Sequence, residues 1–117
     1  MNNYEAYLPH IDANEGIKRI MNNKKLYITM LGRFKVREMA KTLADAIEAN
    51  DTESIGFAAH ALKGTAGNLG FPTLYEFSSN IEQQAKNGAD VSEMIAPLDE
   101  LAVTTIKAIQ EFIAAEG

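Results

Sequence analysis

The chain has no cysteine and no tryptophan, and only three prolines in 117 residues. Without cysteine there is no disulfide scaffold, no thiol nucleophile and no cysteine-ligated metal or cluster site. No apolar run approaches the length of a membrane span, and the start lacks the apolar region of a secretion signal. A soluble cytoplasmic protein is the simplest expectation. Positive charge is scarce as well: 11 Lys and Arg against 16 Asp and Glu leave a net charge of −5. That argues against general nucleic-acid binding, which needs a basic footprint. The basic residues are bunched, however, eight of the eleven falling between Lys18 and Lys41, where Glu38 is the sole acid. The segment is either a solvated helix face or a surface that steers an acidic protein partner.

What is present is apolar periodicity. Apolar residues supply 46% of the chain, enough for one globular domain over residues 1–117. No segment alternates at period two, so no sheet is expected. Asp12 and Glu15 have capping-box spacing and start a short helix to about Asn22. Asn23 caps a long helix to about Ala49, with Tyr27, Met30, Leu31, Phe34, Met39, Leu43 and Ile47 inward. Asp51 or Thr52 caps the next helix, which Gly70 ends. Pro72 sits in the first turn of a further helix carrying Leu74, Phe77, Ile81 and Ala85 inward. Asp90 and Glu93 form a second capping-box pattern before a last helix to about Ala115, buried along Ile95, Leu98, Leu101, Thr105, Ile109 and Phe112. Pro97 should kink that helix or delay its start. The fold class is therefore all-α, an antiparallel four-helix bundle with a short additional N-terminal helix.

The stretch "HALKGTAGNLG", residues 60–70, carries the one interior histidine beside three glycines. Each helical glycine costs about 1 kcal/mol relative to alanine. At 100° per residue, Ile55, Ala59, Leu62, Ala66 and Leu69 form the core stripe, while Glu53, Gly56, Gly64, Gly67 and, slightly off, Lys63 share the side of His60. A histidine on a bared outer face suits a nucleophile that a second protein must approach closely, since a neutral imidazole offers one free lone pair. A phosphoryl group placed there could pair with Lys63, three residues on. Two other readings stay open on spacing alone. The histidine can be a surface residue, and a glycine pair can mark a close helix crossing.

"AHALKGTAGNLG" resembles the signature of the histidine phosphotransfer (HPt) domain, H-x-L-K-G followed by five residues and a glycine, matched by His60, Leu62, Lys63, Gly64 and Gly70. The stretches "IDANEGIKRIMNNKKLYITMLGRF" and "NIEQQAKNG" are similar to that family's opening and to the end of its fourth helix. The resemblance implies a phosphorelay. His60 would take a phosphoryl group from the aspartyl phosphate of a receiver domain in a hybrid histidine kinase, through Nε2, and pass it to the aspartate of a response regulator. The chain would be a monomeric carrier without kinase activity and without a cofactor of its own, the Mg²⁺ belonging to the receiver.

Lys63 is then the charge partner of the phosphoryl group, and Gly56, Phe57, Gly64 and Gly67 belong to the docking face. Glu82 or Gln83 could hydrogen-bond the imidazole or the phosphoryl group, or simply face solvent. Met30 and Phe34 are further docking candidates, core packing being favoured for Phe34. A non-transferring module that docks or sequesters a response regulator is the alternative, disfavoured because His60 and Lys63 are both present. A hydrolase is more distant: the acids are scattered, Ser78 and Ser79 lack an adjacent base, and His10 is too remote to share a metal. Met1 and the compact ends favour a separate protein over a piece of a hybrid kinase.

Overall fold

The computed structural model describes residues 4–117. Its α-helices are α1 (Ala13–Arg19), α2 (Lys24–Arg33), α3 (Val36–Glu48), α4 (Thr52–Leu69), α5 (Pro72–Lys86) and α6 (Ile95–Glu116), and no strand occurs among the described residues. Single 3-10 turns at Glu5–Tyr7 and Ser92–Met94 precede α1 and α6. Three helices start on the expected caps. Asp12 accepts from the Glu15 N–H, Asn23 from the Leu26 N–H and Asp51 from the Ser54 N–H, each satisfying an amide that the first turn leaves unpaired. Pro72 opens α5, where its missing N–H costs nothing.

The expected single helix over 23–49 is two helices. Phe34 adopts an extended backbone, φ −72° and ψ 110°, and α3 restarts at Val36. The break lets the Phe34 ring turn inward onto Phe71, 5.2 Å between centroids and edge-on. α1 is also shorter than expected, and Met21 and Asn22 follow it in left-handed conformations. The second capping box does not form. Asp90 accepts instead from the Ser92 N–H at 2.9 Å, and α6 starts at Ile95 with Pro97 in its first turn. The helix is therefore delayed relative to the expected start and runs as one element to Glu116.

The long helices α3, α4, α5 and α6 make a helical bundle. α4 packs most extensively on α5, and α3 packs on both α4 and α6. Every apolar position expected inward on α4 is buried, as are Tyr27, Leu31, Leu43, Ile47, Leu74, Ile81, Ala85, Leu98, Ile109 and Phe112. α1 and α2 close one end. There Phe112 is ringed by Tyr4, Tyr7 and Tyr27, and the Tyr27 hydroxyl donates to the Leu69 carbonyl at 2.6 Å. Burial, with the Asp12 charge second, pushes the ionisation of that hydroxyl well above the ordinary phenol range.

The end of α4 is the tightest point of this closure. Gly70 has φ +79°, its carbonyl accepts from the Asp12 N–H at 2.7 Å, and a Cβ there would press into the Asp12 carbonyl and the Gly16 backbone. Gly70→Ala combines a left-handed backbone with a clash against main chain that cannot rotate away. It should lower unfolding stability by about 3 kcal/mol, read as a shift of the urea midpoint at constant slope.

Candidate functional site

His60 lies at mid-length in α4. The helix can present it outward because Ile55, Ala59, Leu62, Ala66 and Leu69 are all buried on the opposite stripe. The imidazole side chain is 70% exposed. On α5, Leu74, Ser78, Ile81 and Ala85 point inward, which puts Glu82 on the flank beside α4. Its carboxylate makes two contacts: Oε2 lies 3.0 Å from His60 Nδ1, and Oε1 accepts from Lys63 Nζ at 2.6 Å. Lys63 and Glu82 are both half-buried in the α4–α5 groove, 23% and 24% exposed.

The electrostatics follow from this triangle. The hydrogen bond from Lys63 is the largest effect on the Glu82 carboxyl; burial opposes it, and the hydrogen bond from His60 and the two nearby positive charges add to it, so that the carboxyl is held below its ordinary range. The same bond holds the Lys63 ammonium above its ordinary range. An ionised carboxylate only accepts hydrogen bonds, so the proton on the imidazole sits on Nδ1 and the lone pair stays on Nε2, facing solvent. Sequence left Glu82 and Gln83 as equals. It is Glu82 that reaches the ring, while Gln83 is exposed.

The sign of the pH dependence can be worked out from these shifts. A carboxyl lowered by folding adds stability above its ordinary value of 4.5, lost as pH falls through the depressed one. An ammonium raised by folding adds stability below its ordinary value of 10.5, lost as pH rises through the elevated one. The pair is therefore intact throughout the neutral range. In ¹⁵N NMR at neutral pH the neutral ring of His60 should be mainly the Nδ1–H tautomer. Glu82→Ala should remove that preference, and a ring already protonated mainly on Nε2 in the parent chain would contradict the assignment.

The glycines divide. A Cβ at Gly56 or Gly64 would meet nothing within 4 Å, so both stand on open surface. Gly67, expected on the same docking face, does not. A Cβ there would lie 3.2 Å from the Tyr75 ring, so Gly67 serves a close crossing of α4 and α5. Phe57, one turn before His60, is 72% exposed. Met30 and Phe34 are half-buried against the core. His10 is half-buried in the N-terminal segment, and Ser78 is fully buried with its hydroxyl unpartnered.

Among the described residues no group of three His, Asp or Glu side chains is placed to hold a metal ion, and no helix is long and apolar enough to cross a membrane. Basic residues of the 18–41 segment stand at three different places. Lys24 pairs with Glu116 beside the end of α6, Arg37 and Lys41 border the α3–α6 groove, and Arg19 stands over a cleft between α1, α4 and α5.

A family model for the Hpt domain matches residues 34–115. The chain belongs to the Hpt domain family. It is a histidine phosphotransfer module of two-component phosphorelays, a carrier of phosphoryl groups and not a kinase. A crystal structure of the HPT domain from the Hpt sensor hybrid histidine kinase of Shewanella shares its fold, with a TM-score of 0.74 at 18% identity over 90% of this chain and 94% of that one. No curated protein matches the chain. The match places α4 and α5, and with them the His60–Glu82–Lys63 triangle, wholly inside the family region. α1 and α2 precede that region.

Proposed function

We propose that His60 is the phosphoacceptor of a phosphorelay and that the chain shuttles the group between two receiver domains, one in a hybrid kinase and one in a response regulator. Nε2 attacks the phosphorus of the receiver's aspartyl phosphate in line, an N–P bond forms, the P–O bond to the aspartate breaks, and the carboxylate leaves. The ring keeps its Nδ1 proton, so phosphorylated His60 is an imidazolium whose positive charge lies against Glu82. Donation to the second receiver runs the same path backwards. Mg²⁺ comes with the receiver. A monomeric module over residues 1–117, working in the cytoplasm, satisfies these requirements.

Glu82 is a positioning residue: it fixes which nitrogen is free and where the ring points. Lys63 has a part in the resting state as well. At rest it is bonded to Glu82, so it offsets a carboxylate charge that would otherwise repel the incoming phosphoryl group. The observation that carries this reading is the exposed imidazole held by Glu82 through Nδ1 above the open surface of Gly64.

The test is to incubate the chain with phosphoramidate, whose P–N bond breaks with release of ammonia, and separately with a phosphorylated receiver domain. Phosphate labile to acid and stable to alkali should appear on the peptide containing His60. Label on another residue, or none, would refute the proposal. Glu82→Gln should slow both reactions by about tenfold, the usual scale for losing a group that orients a reactive histidine.

A further inference from the structure

We infer that Tyr75 is a second anchor of the receiver-docking face, seated on α4 by Gly67; the inference rests on the phosphorelay reading above. Between Ser54 and Leu69 the only ionisable side chains of α4 are His60 and Lys63, and Lys63 is neutralised by Glu82. The exposed face of that helix runs through Phe57, Ala61, Gly64 and Asn68. A chain of net charge −5 thus leaves the turns of α4 from Ser54 to Leu69 without an acid of their own where a phosphorylated, acidic partner must approach. Of the large apolar side chains that stand exposed, two are aromatic, Phe57 and Tyr75.

These two bracket the histidine. Phe57 lies one turn before it. Tyr75, 42% exposed at the start of α5, lays its ring over Gly67, seven residues beyond His60 and so about 10 Å along the helix. Tyr75 also lies seven residues before Glu82, so both project from the same side of α5. The glycine that makes no open surface thereby places an aromatic ring on the surface in its stead. Past the ring is a cleft of about 180 Å³ whose rim carries Glu15 and Arg19.

The occupant follows from the chemistry. A receiver whose carboxyl phosphate touches Nε2 must cover the ground around it. An interface of ordinary size buries about 800 Å² on each partner, a disc roughly 16 Å in radius, and Tyr75 falls within it. Tyrosines in such positions supply much of the binding energy because they bury large area at small entropic cost. The partner that fits carries an apolar patch beside its phosphorylated aspartate. Its affinity for this face should depend little on salt, since the α4 turns from Ser54 to Leu69 carry no acid and their one lysine is paired with Glu82.

The experiment uses the whole chain with Tyr75→Ala and Tyr75→Phe, phosphoramidate as the small donor, and a receiver domain chosen by exchange with the parent chain. Phosphoramidate should label both variants at the parent rate, because a small donor needs no docking. Transfer to the receiver should fall about tenfold in kcat/KM for Tyr75→Ala, through KM, and stay near the parent value for Tyr75→Phe, alike in low and high salt. Parent-like transfer by Tyr75→Ala overturns the anchor and leaves the phosphorelay reading standing. Equal loss of phosphoramidate labelling and transfer overturns it too, by showing a structural role. No label on the parent chain, or no receiver that exchanges with it, overturns both.

Discussion

His60→Gln should take up no phosphoryl group from phosphoramidate or from a phosphorylated receiver, while melting within about 0.5 kcal/mol of the parent chain. Both halves follow from the position of the ring. The side chain is 70% exposed on a helix whose opposite stripe is buried, so nothing packs on it that glutamine would lose. An amide can still accept the Lys63–Glu82 neighbourhood as a hydrogen-bonding partner, but its nitrogen lone pair is delocalised into the carbonyl and cannot attack phosphorus. The loss should be complete, because the chain offers no second nucleophile at that place. Ser78 is buried and His10 lies in another segment. Residual acid-labile label in the variant would assign the chemistry elsewhere. Scanning calorimetry of the two chains checks the stability half.

Gly64→Phe should separate folding from function in the opposite sense. The position is a helix interior with open space where a Cβ would go, so any side chain there removes the entropic penalty of glycine and should stabilise the fold by about 0.5 kcal/mol. Yet a phenyl group one turn from His60 stands between the imidazole and any protein surface approaching it. Displacing the reacting atoms by even 1 Å can cost about a hundredfold, and a ring several ångströms deep should reduce exchange with a receiver by at least that. Phosphoramidate, which needs no flat approach, should still label His60. Stopped exchange with retained chemical labelling is the expected pair of results. Normal exchange with a receiver would show that the open glycine surface has no part in docking.

How far the sequence could be read depended on range. The burial of α4, α5 and α6 was legible because each carries its apolar stripe at helical spacing and nothing local opposes it. The division of the 23–49 segment was written more faintly, in a five-residue step from Phe34 to Met39 and in Gly32 just before it. Whether such a step is absorbed or breaks the helix depends on Phe71, which lies far along the chain. The contact of Gly67 with the Tyr75 ring was hidden for the same reason. A helical wheel gives the direction of a residue from its own axis and says nothing of what the next helix lays over it. The choice between Glu82 and Gln83 turns on 100° of rotation in α5, set by the packing of α5 on α4 and not by either residue. The spacing of Tyr75 and Glu82 was the one local sign of a shared face. Finding it required knowing that Glu82 mattered.

The clasp between Asp12 and Gly70, with Tyr27 on Leu69, has a consequence for how the reactive helix is held. Two successive carbonyls at the finish of α4, which no further turn of helix could satisfy, are taken up by residues that precede Phe34, where the family match begins. His60 belongs to the shared part of the chain, but the steadiness of its platform is borrowed from the leading segment. A shortened chain begun at Phe34 would carry the same imidazole on a hairpin whose bend has lost its fastening. In this protein the exposed imidazole and the fastening of the helix that carries it come from different stretches of sequence.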